Sequence, residues 1–176
     1  MSLTCYPERF QPLACGLRPA ACRLPPAACR LWPSFRYPLP EVMHLQYVVL
    51  CELVILANDG KPSLIGILND IQTVSVPVNV PRLAFAARLL FTADETGKPH
   101  HVEVRITDPS GKEIGRPGGE ISLPPAPAAV DSIAVDLPLQ FDLLELPSAG
   151  RYTFLLHVDG APMGAAQLTV RQVAAS

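Results

Sequence analysis

Apolar and polar residues alternate along much of the chain after residue 42, as they do in β-strands that cover a core with one face. The stretch Arg82–Thr92 is the clearest example, because its odd-numbered positions are apolar: Leu83, Phe85, Ala87, Leu89 and Phe91. A period of two directs these side chains to one face of a sheet. The same alternation predicts strands at residues 101–107, 132–141, 151–158 and 165–172.

The first strand of this region is apolar at most positions rather than at alternate ones. His44–Ala57 is rich in Val, Ile, Leu and Tyr, is interrupted by Glu52, and is too short to cross a bilayer as a helix. Its composition predicts a strand that is covered on both faces. The sequence Asn58-Asp59-Gly60 favours a tight hairpin turn, so we expect a partner strand at Ser63–Leu68 that continues toward Val76.

Turn signals recur between the alternating segments, and no segment has a convincing helical pattern. Such a chain is expected to fold as two packed antiparallel sheets. We therefore predict an all-β, antiparallel sandwich of seven to eight strands at residues 43–172, with a short tail at residues 173–176. A domain of this size can bury roughly two thirds of its unfolded surface, so it needs no disulfide for stability.

The first 42 residues differ in composition from the rest of the chain. They hold five arginines, two glutamates and four of the five cysteines, whereas the remaining residues hold nine basic and fourteen acidic side chains. Residues 18–24 are repeated at 25–31, and each copy contains proline, which excludes a coiled coil. Three of these cysteines, Cys15, Cys22 and Cys29, recur every seven residues, which is not zinc-site spacing. We expect a disordered leader at residues 1–42.

Two stretches of the domain carry a family resemblance. One is Cys51–Asn69, with its hairpin turn and the sequence Leu-Ile-Gly-Ile-Leu at 64–68, and the other is Leu146–Phe154, which leads to a turn at 158–160. Together they are similar to a family of small bacterial proteins of unknown function with an immunoglobulin-like sandwich, over residues 43–172. The resemblance implies that fold and a bacterial source, and it implies no activity or functional residues.

Tyr152 follows a proline and a glycine at the start of a predicted strand. This position suits a tyrosine corner, in which the hydroxyl group bonds to backbone a few residues upstream. An ordinary inward-facing aromatic side chain is the alternative.

The adjacent histidines His100 and His101, with Glu103, are the best metal candidates in the sequence. His101 and Glu103 share one face of a predicted strand, but a zinc site needs at least a third protein ligand, and none can be named from the spacing. A solvated turn explains the pair better. The sequence has no Gly-x-Ser-x-Gly motif and no glycine-rich loop before a helix. We therefore expect no metal, no cofactor and no enzymatic activity.

A polar face is expected if strands 82–92 and 101–107 form a hairpin. It would gather Arg88, His101, Glu103 and Arg105, together with Thr107. Opposite charges across neighbouring strands stabilise a sheet by a few tenths of a kcal/mol. The functional interpretation is a recognition face, and the alternative is an ordinary solvated surface.

The first strand suggests how the domain could act. If Val48, Leu50, Val54 and Leu56 face outward, the strand needs a cover. We therefore predict a protein–protein interaction or structural module, with an unknown protein partner or a homodimer formed through strand 44–57. The alternative is a domain that binds a small ligand or a carbohydrate, although it has few aromatic residues for a sugar.

Net charge and cysteine usage limit the partners and the compartment. A net charge of −2 provides no basic field for nucleic acid or for an anionic membrane, so we expect neither partner. Cys51 lies in the middle of a predicted strand and has no cysteine partner in the domain. A buried thiol of this kind is typical of a reducing compartment, so we expect a cytoplasmic protein.

We expect the native start to be Met43, because the repeat, the charge reversal and the cysteine distribution all change there. Mass spectrometry of the protein from its native cells should find an N-terminal peptide that begins at or just after Met43. An intact cellular peptide that spans residues 31–37 would overturn this expectation.

Overall fold

The computed structural model describes residues 43–127 and 130–174, so the predicted leader at residues 1–42 lies outside the described residues. The described part forms ten strands and one 3₁₀ turn at Ala93–Glu95. The all-β class is therefore confirmed, with more strands than the seven to eight predicted. The strands are β1 (His44–Leu56), β2 (Pro62–Ile67), β3 (Asp70–Thr73), β4 (Val78–Thr92), β5 (Pro99–Thr107), β6 (Glu113–Gly115), β7 (Gly118–Ser122), β8 (Ser132–Leu146), β9 (Gly150–Val158) and β10 (Ala161–Gln172).

The first sheet contains four antiparallel strands in the order β2-β1-β4-β8. The predicted hairpin between β1 and β2 is confirmed. Gly60 has a φ of 78°, and its amide donates to the carbonyl of Ala57 at 2.9 Å. Glycine reaches this left-handed conformation without a steric penalty, which is why Asp-Gly suits the turn.

The second sheet has the order β3-β10-β9-β5-β6, and β7 also pairs with β5. It is a mixed sheet, because β3 runs parallel to β10. The partner strand expected at Ser63–Leu68 is present as β2, but its expected continuation toward Val76 is wrong. After β2 the chain leaves the first sheet at Asn69, whose carbonyl accepts a hydrogen bond from the Thr169 amide at 2.9 Å, and it joins the opposite sheet as β3.

Strand β8 is longer than its alternation predicts. The strand was expected to end at residue 141, but β8 continues to Leu146. It does so because β4 begins at Val78, ahead of the predicted Arg82, and these early residues pair with the end of β8. Leu143 accommodates the extension with a φ of 59°, an uncommon conformation for a residue other than glycine.

The core lies between the two sheets and is built from the side chains that the alternation placed inward. Phe85 and Phe91 of β4 and Phe154 of β9 are almost fully buried. The Phe141 ring of β8 meets the Phe154 ring across the sheets, with centroids 5.9 Å apart. Burying each large apolar side chain stabilises the fold by about 1.5–3 kcal/mol, so these contacts dominate its stability.

Tyr152 forms the predicted corner. Its hydroxyl donates to the Ser148 carbonyl at 2.8 Å and accepts from the Ser148 amide at 3.0 Å. The ring is fully buried, so one side chain fills the core and also satisfies the backbone of the turn between β8 and β9. This is the tyrosine-corner arrangement described for sandwich domains.

We predict that Tyr152→Phe lowers the free energy of unfolding by about 1–3 kcal/mol, because it leaves the half-buried amide and carbonyl of Ser148 without a partner. Urea denaturation followed by circular dichroism measures the change. Tyr47→Phe is the matched control, since it removes only a half-buried bond from the Tyr47 hydroxyl to Asp136. It should cost less than Tyr152→Phe, because Asp136 keeps Arg88 as a partner at 3.7 Å. Equal losses in the two variants would contradict the stabilising role of the corner.

Candidate functional site

The predicted polar face is divided between the two sheets. Strand β4 and strand β5 do not form a hairpin, because the 3₁₀ turn between them carries the chain from the first sheet to the second. Arg88 therefore lies on the outer face of the first sheet, where its Nε is 3.7 Å from Oδ1 of Asp136. Including Arg88 in a face with His101, Glu103 and Arg105 was wrong.

The other three residues of the predicted face lie together on the outer side of β5. The Arg105 guanidinium binds Oε1 of Glu103 through Nε at 2.8 Å and through Nη2 at 2.7 Å. This interaction lowers the pKa of the Glu103 carboxyl. Nε2 of His101 is 3.9 Å from Oε2 of Glu103. A half-exposed ion pair of this type contributes little to stability, so the arrangement fits an ordinary solvated surface as well as a recognition face.

The two adjacent histidines point in opposite directions, as neighbouring strand residues do. His101 is exposed, whereas His100 faces the core and is only 2% exposed. The expectation of a solvated turn is therefore wrong for His100. Across residues 43–127 and 130–174, no group of three His, Cys, Asp or Glu side chains is arranged to hold a metal ion.

His100 joins three separate parts of the chain. Its Nδ1 lies 2.7 Å from Oδ2 of Asp159, and its Nε2 lies 2.6 Å from the carbonyl oxygen of Glu95. Its ring packs on Phe91 with centroids 4.8 Å apart. The Glu95 carboxylate in turn accepts hydrogen bonds from the amides of Met43 and Thr92, each at 3.0 Å. The cluster thus fastens the start of β1 to the 3₁₀ turn and to the β9–β10 turn.

Both partners of the His100 ring are acceptors only, so this geometry requires a proton on each ring nitrogen. Burial disfavours the resulting imidazolium, but the hydrogen bonds to Glu95 and Asp159 outweigh that effect and raise the pKa of His100. The bond from His100 correspondingly lowers the pKa of Asp159. Because both ring nitrogens are hydrogen-bonded within the fold, His100 has a structural role and has no free nitrogen to accept a proton from a substrate.

An exposed aliphatic patch, which we call the hairpin face, covers the outer side of the β1–β2 hairpin. Its members are Ile55, Ile65 and Ile67, which are 47%, 46% and 61% exposed, with half-buried Leu53 between them. Leu53 is paired with Ile65 in the hairpin register, and a period of two puts all four side chains on one side.

The sequence prediction had chosen the opposite set of β1 side chains. It placed Val48, Leu50, Val54 and Leu56 outward. This is wrong for Leu50, which is 2% exposed, and for Val48, which packs against the core, whereas Leu56 at the end of β1 is 53% exposed. Both faces of β1 are apolar, so the pattern could not decide which face was inward. The decision comes from pairing with β4, which sets Leu50 opposite the core residue Phe85.

An open cleft of about 380 Å³ separates the two sheets where β8 faces β7. Its walls include Phe85, Leu137 and Leu139 from the first sheet and Val102 and Leu156 from the second. Gly118 and Gly119 of β7 also border it and contribute no side chains to fill it. The volume lies in the range of small-ligand sites, which are commonly about 300–1,000 Å³.

Cys51 lies on the outer side of β1 between β2 and β4 and is fully buried. It forms no disulfide within the described residues. Burial raises the pKa of its thiol, which keeps it protonated and unreactive at neutral pH. Among the described residues, there is also no helix with the length and hydropathy needed to span a membrane.

Comparison with known protein families assigns the chain to one of them. A family model described as a family of unknown function, DUF6941, matches residues 46–171. The chain therefore belongs to this family, as the resemblance of its hairpin and corner sequences to a family of unknown function suggested.

Comparison with individual proteins adds little. No curated protein matches the chain. One similar solved structure is an alkylpurine DNA glycosylase of Pseudomonas fluorescens bound to DNA containing an abasic site analogue, with a TM-score of 0.43 and 12% sequence identity. The match covers 73% of this chain and 30% of the glycosylase, so the chain spans less than a third of that protein. A similarity this weak supports no conclusion about fold or function.

We predict a pH dependence of stability that arises from His100. Its folded pKa is raised above the ordinary value of about 6.5, so its stabilisation is complete below that value and is lost as pH rises through the folded pKa. Asp159 and the Glu95 carbonyl favour the imidazolium, and Lys98 opposes it. The free energy of unfolding should therefore fall as pH rises above the ordinary histidine pKa of about 6.5.

Urea denaturation at a series of pH values measures this slope in the original chain and in two variants. His100→Gln should flatten it, whereas His101→Gln, an exposed change on the same strand, should retain it. A slope that is unchanged in His100→Gln would contradict the assignment.

Proposed function

We propose that this chain is a non-enzymatic protein–protein interaction module that binds through the hairpin face. The observation that supports the proposal is the position of Ile55, Ile65 and Ile67, which are neighbouring, largely exposed and aligned on one side of a two-stranded segment. Single exposed aliphatic residues are normal on a protein surface, but clusters of them are typical of interaction sites.

A second copy of the chain is the occupant that we propose for the hairpin face. The patch is aliphatic and uncharged, so it is complementary to itself, as a two-fold symmetric interface requires. Contact occurs face to face in this dimer. At the hairpin face, Leu53 and Ile55 are already paired with β2.

An immunoglobulin-like arrangement is the fold that we propose for the module. In that fold one sheet contains strands A, B and E, and the other contains C, F and G. The order β1-β4-β8 supports the first set, and the order β5-β9-β10 supports the second. The tyrosine corner at the start of β9 lies where strand F carries it. Strand β2 is an addition at the edge of the first sheet.

The remaining expectations form part of the same proposal. The absence of catalysis is supported by His100, the most elaborately bonded titratable side chain, because both of its ring nitrogens are used within the fold. The buried thiol of Cys51 supports a reducing, cytoplasmic location. A bacterial source is what the family resemblance implies.

A small-ligand domain is the second candidate function, and the cleft beside β8 is the observation that favours it. The walls of the cleft are mainly aliphatic, with Phe85 as the aromatic contributor. Among the described residues, the large apolar side chains that are exposed are all aliphatic. These features favour an apolar ligand over a carbohydrate, since sugars usually stack on exposed aromatic rings.

We predict that the chain forms a dimer whose population rises with concentration and that Ile65→Asp and Ile67→Asp each shift it to monomer. A carboxylate in the centre of an apolar interface would be desolvated without a partner. Size-exclusion chromatography with light scattering, at several concentrations, measures the mass.

Val74→Asp is the control, because Val74 is 60% exposed but lies outside the hairpin face. It should dimerise like the original chain. Circular dichroism checks that each variant is folded. A monomer at every concentration, or dimers that both isoleucine variants retain, would disprove the proposed interface.

A further inference from the structure

Strand β8 forms a long, unpaired edge of the first sheet. It extends over 15 residues and pairs on one side with β4, and no other described strand pairs with its opposite side. An unpaired edge presents a row of backbone donors and acceptors that can bind another extended chain. In the immunoglobulin-like arrangement, strand D lies beside strand E at this position. This edge and the hairpin face are at opposite ends of the first sheet, so the two surfaces are independent.

The cleft between the sheets runs along this edge. Four consecutive residues of β8, from Asp136 to Leu139, border the cleft. Consecutive strand residues point to opposite faces, so a cavity that borders all four of them adjoins the backbone edge itself. An extended segment that paired with β8 would therefore place alternate side chains into the cleft, beside Phe85, Leu137 and Leu139.

The outward side of β8 is acidic. The strand contains Asp136, Asp142 and Glu145 and no lysine or arginine. Asp136 accepts a hydrogen bond from the Tyr47 hydroxyl at 3.0 Å and lies 3.7 Å from Arg88. Asp142 and Glu145 are exposed; Arg82 of β4 is the register partner of Asp142 but forms no ion pair with it, and Asn79 lies opposite Glu145. Side chains directly across two paired strands interact, so basic residues suit the outward positions of an added strand.

We propose that β8 is a strand-addition site for an extended segment of a protein partner in which apolar residues alternate with lysine or arginine. The apolar residues fill the cleft, the backbone pairs with β8, and the basic side chains lie beside the carboxylates. Main-chain pairing supplies affinity in this mode, and the alternate side chains supply specificity.

A second copy of this chain is a poor occupant of the β8 edge. Pairing β8 with itself would bring two sets of carboxylates together, and like charges across strands are destabilising. Pro138 has no backbone N–H and therefore removes one hydrogen-bond donor. Proline is common in edge strands, where it discourages pairing with the strands of other molecules. Together these features disfavour pairing with most strands and favour a partner segment that carries lysine or arginine.

The test uses the full chain and a fluorescein-labelled peptide of about ten residues in which valine alternates with lysine, the length of a typical strand. Fluorescence anisotropy measures binding. Three control peptides have a scrambled order, glutamate in place of lysine, or N-methyl groups on the backbone of one edge. We expect the alternating basic peptide to bind and each control to bind more than about tenfold more weakly, because each loses the cleft contacts, the charge pairing or the backbone bonds.

Two variants of the chain test the site itself. A Cβ added at Gly119 meets no atom within 4 Å, so Gly119→Leu fills the cleft without a clash and should abolish binding, whereas Gly119→Ala should retain most of it. Asp142→Asn combined with Glu145→Gln should weaken binding by about threefold to tenfold, as expected for two exposed charge pairs. Circular dichroism verifies that the variants are folded.

Amide chemical-shift changes in the nuclear magnetic resonance spectrum identify the paired strand, and they should concentrate at residues 136–145, which span the cleft and both carboxylates. Changes at residues 118–122 instead would place the peptide on β7 and overturn the proposal. Equal binding of the N-methylated peptide, equal binding of the acidic peptide, or no binding of the basic peptide would also overturn it. None of these results depends on the hairpin face, so they leave the proposed dimer to its own test.

Discussion

Packing between the central strands of the two sheets is the interaction on which the rest of this structure depends. Strand β4 is inside the first sheet and β9 is inside the second, and their inward side chains, such as Phe85 and Phe154, are almost entirely removed from water. No disulfide within the described residues assists this contact. Apolar burial therefore fixes the separation of the sheets, and this separation positions the corner, the histidine cluster and the cleft.

At two turns that border the core, polar groups are hydrogen-bonded to one another. Tyr152 satisfies the backbone of Ser148 at one turn, and His100 connects Asp159 with the Glu95 carbonyl at another. Buried polar groups are tolerated only when they are paired, so each cluster holds its turn in one conformation. These residues are well bonded because they complete the fold, and strong bonding alone does not make a side chain a functional site.

The surfaces that remain for function are those where the sheets are incompletely covered. The hairpin face exposes aliphatic side chains because they lie on the outer side of the first sheet, away from the second sheet. The edge of β8 is open because no described strand pairs with its free side. The glycines of β7 leave the adjoining cleft unfilled. Both surfaces are products of sheet size and strand order, which explains why the polar residues singled out from the sequence lead to neither of them.

The sequence by itself determined the strands, because alternation with a period of two is a local property. It identified the inward faces of β4, β5 and β9, the Asp-Gly turn after β1 and the Tyr152 corner. Only the tertiary structure decided which strands are neighbours. The separation of Arg88 from Glu103, the parallel pairing of β3 with β10 and the inward face of β1 all depend on contacts between distant residues. His100 shows the same limit: the pattern predicts a solvated turn there, because its partners Glu95 and Asp159 meet it only in the folded structure.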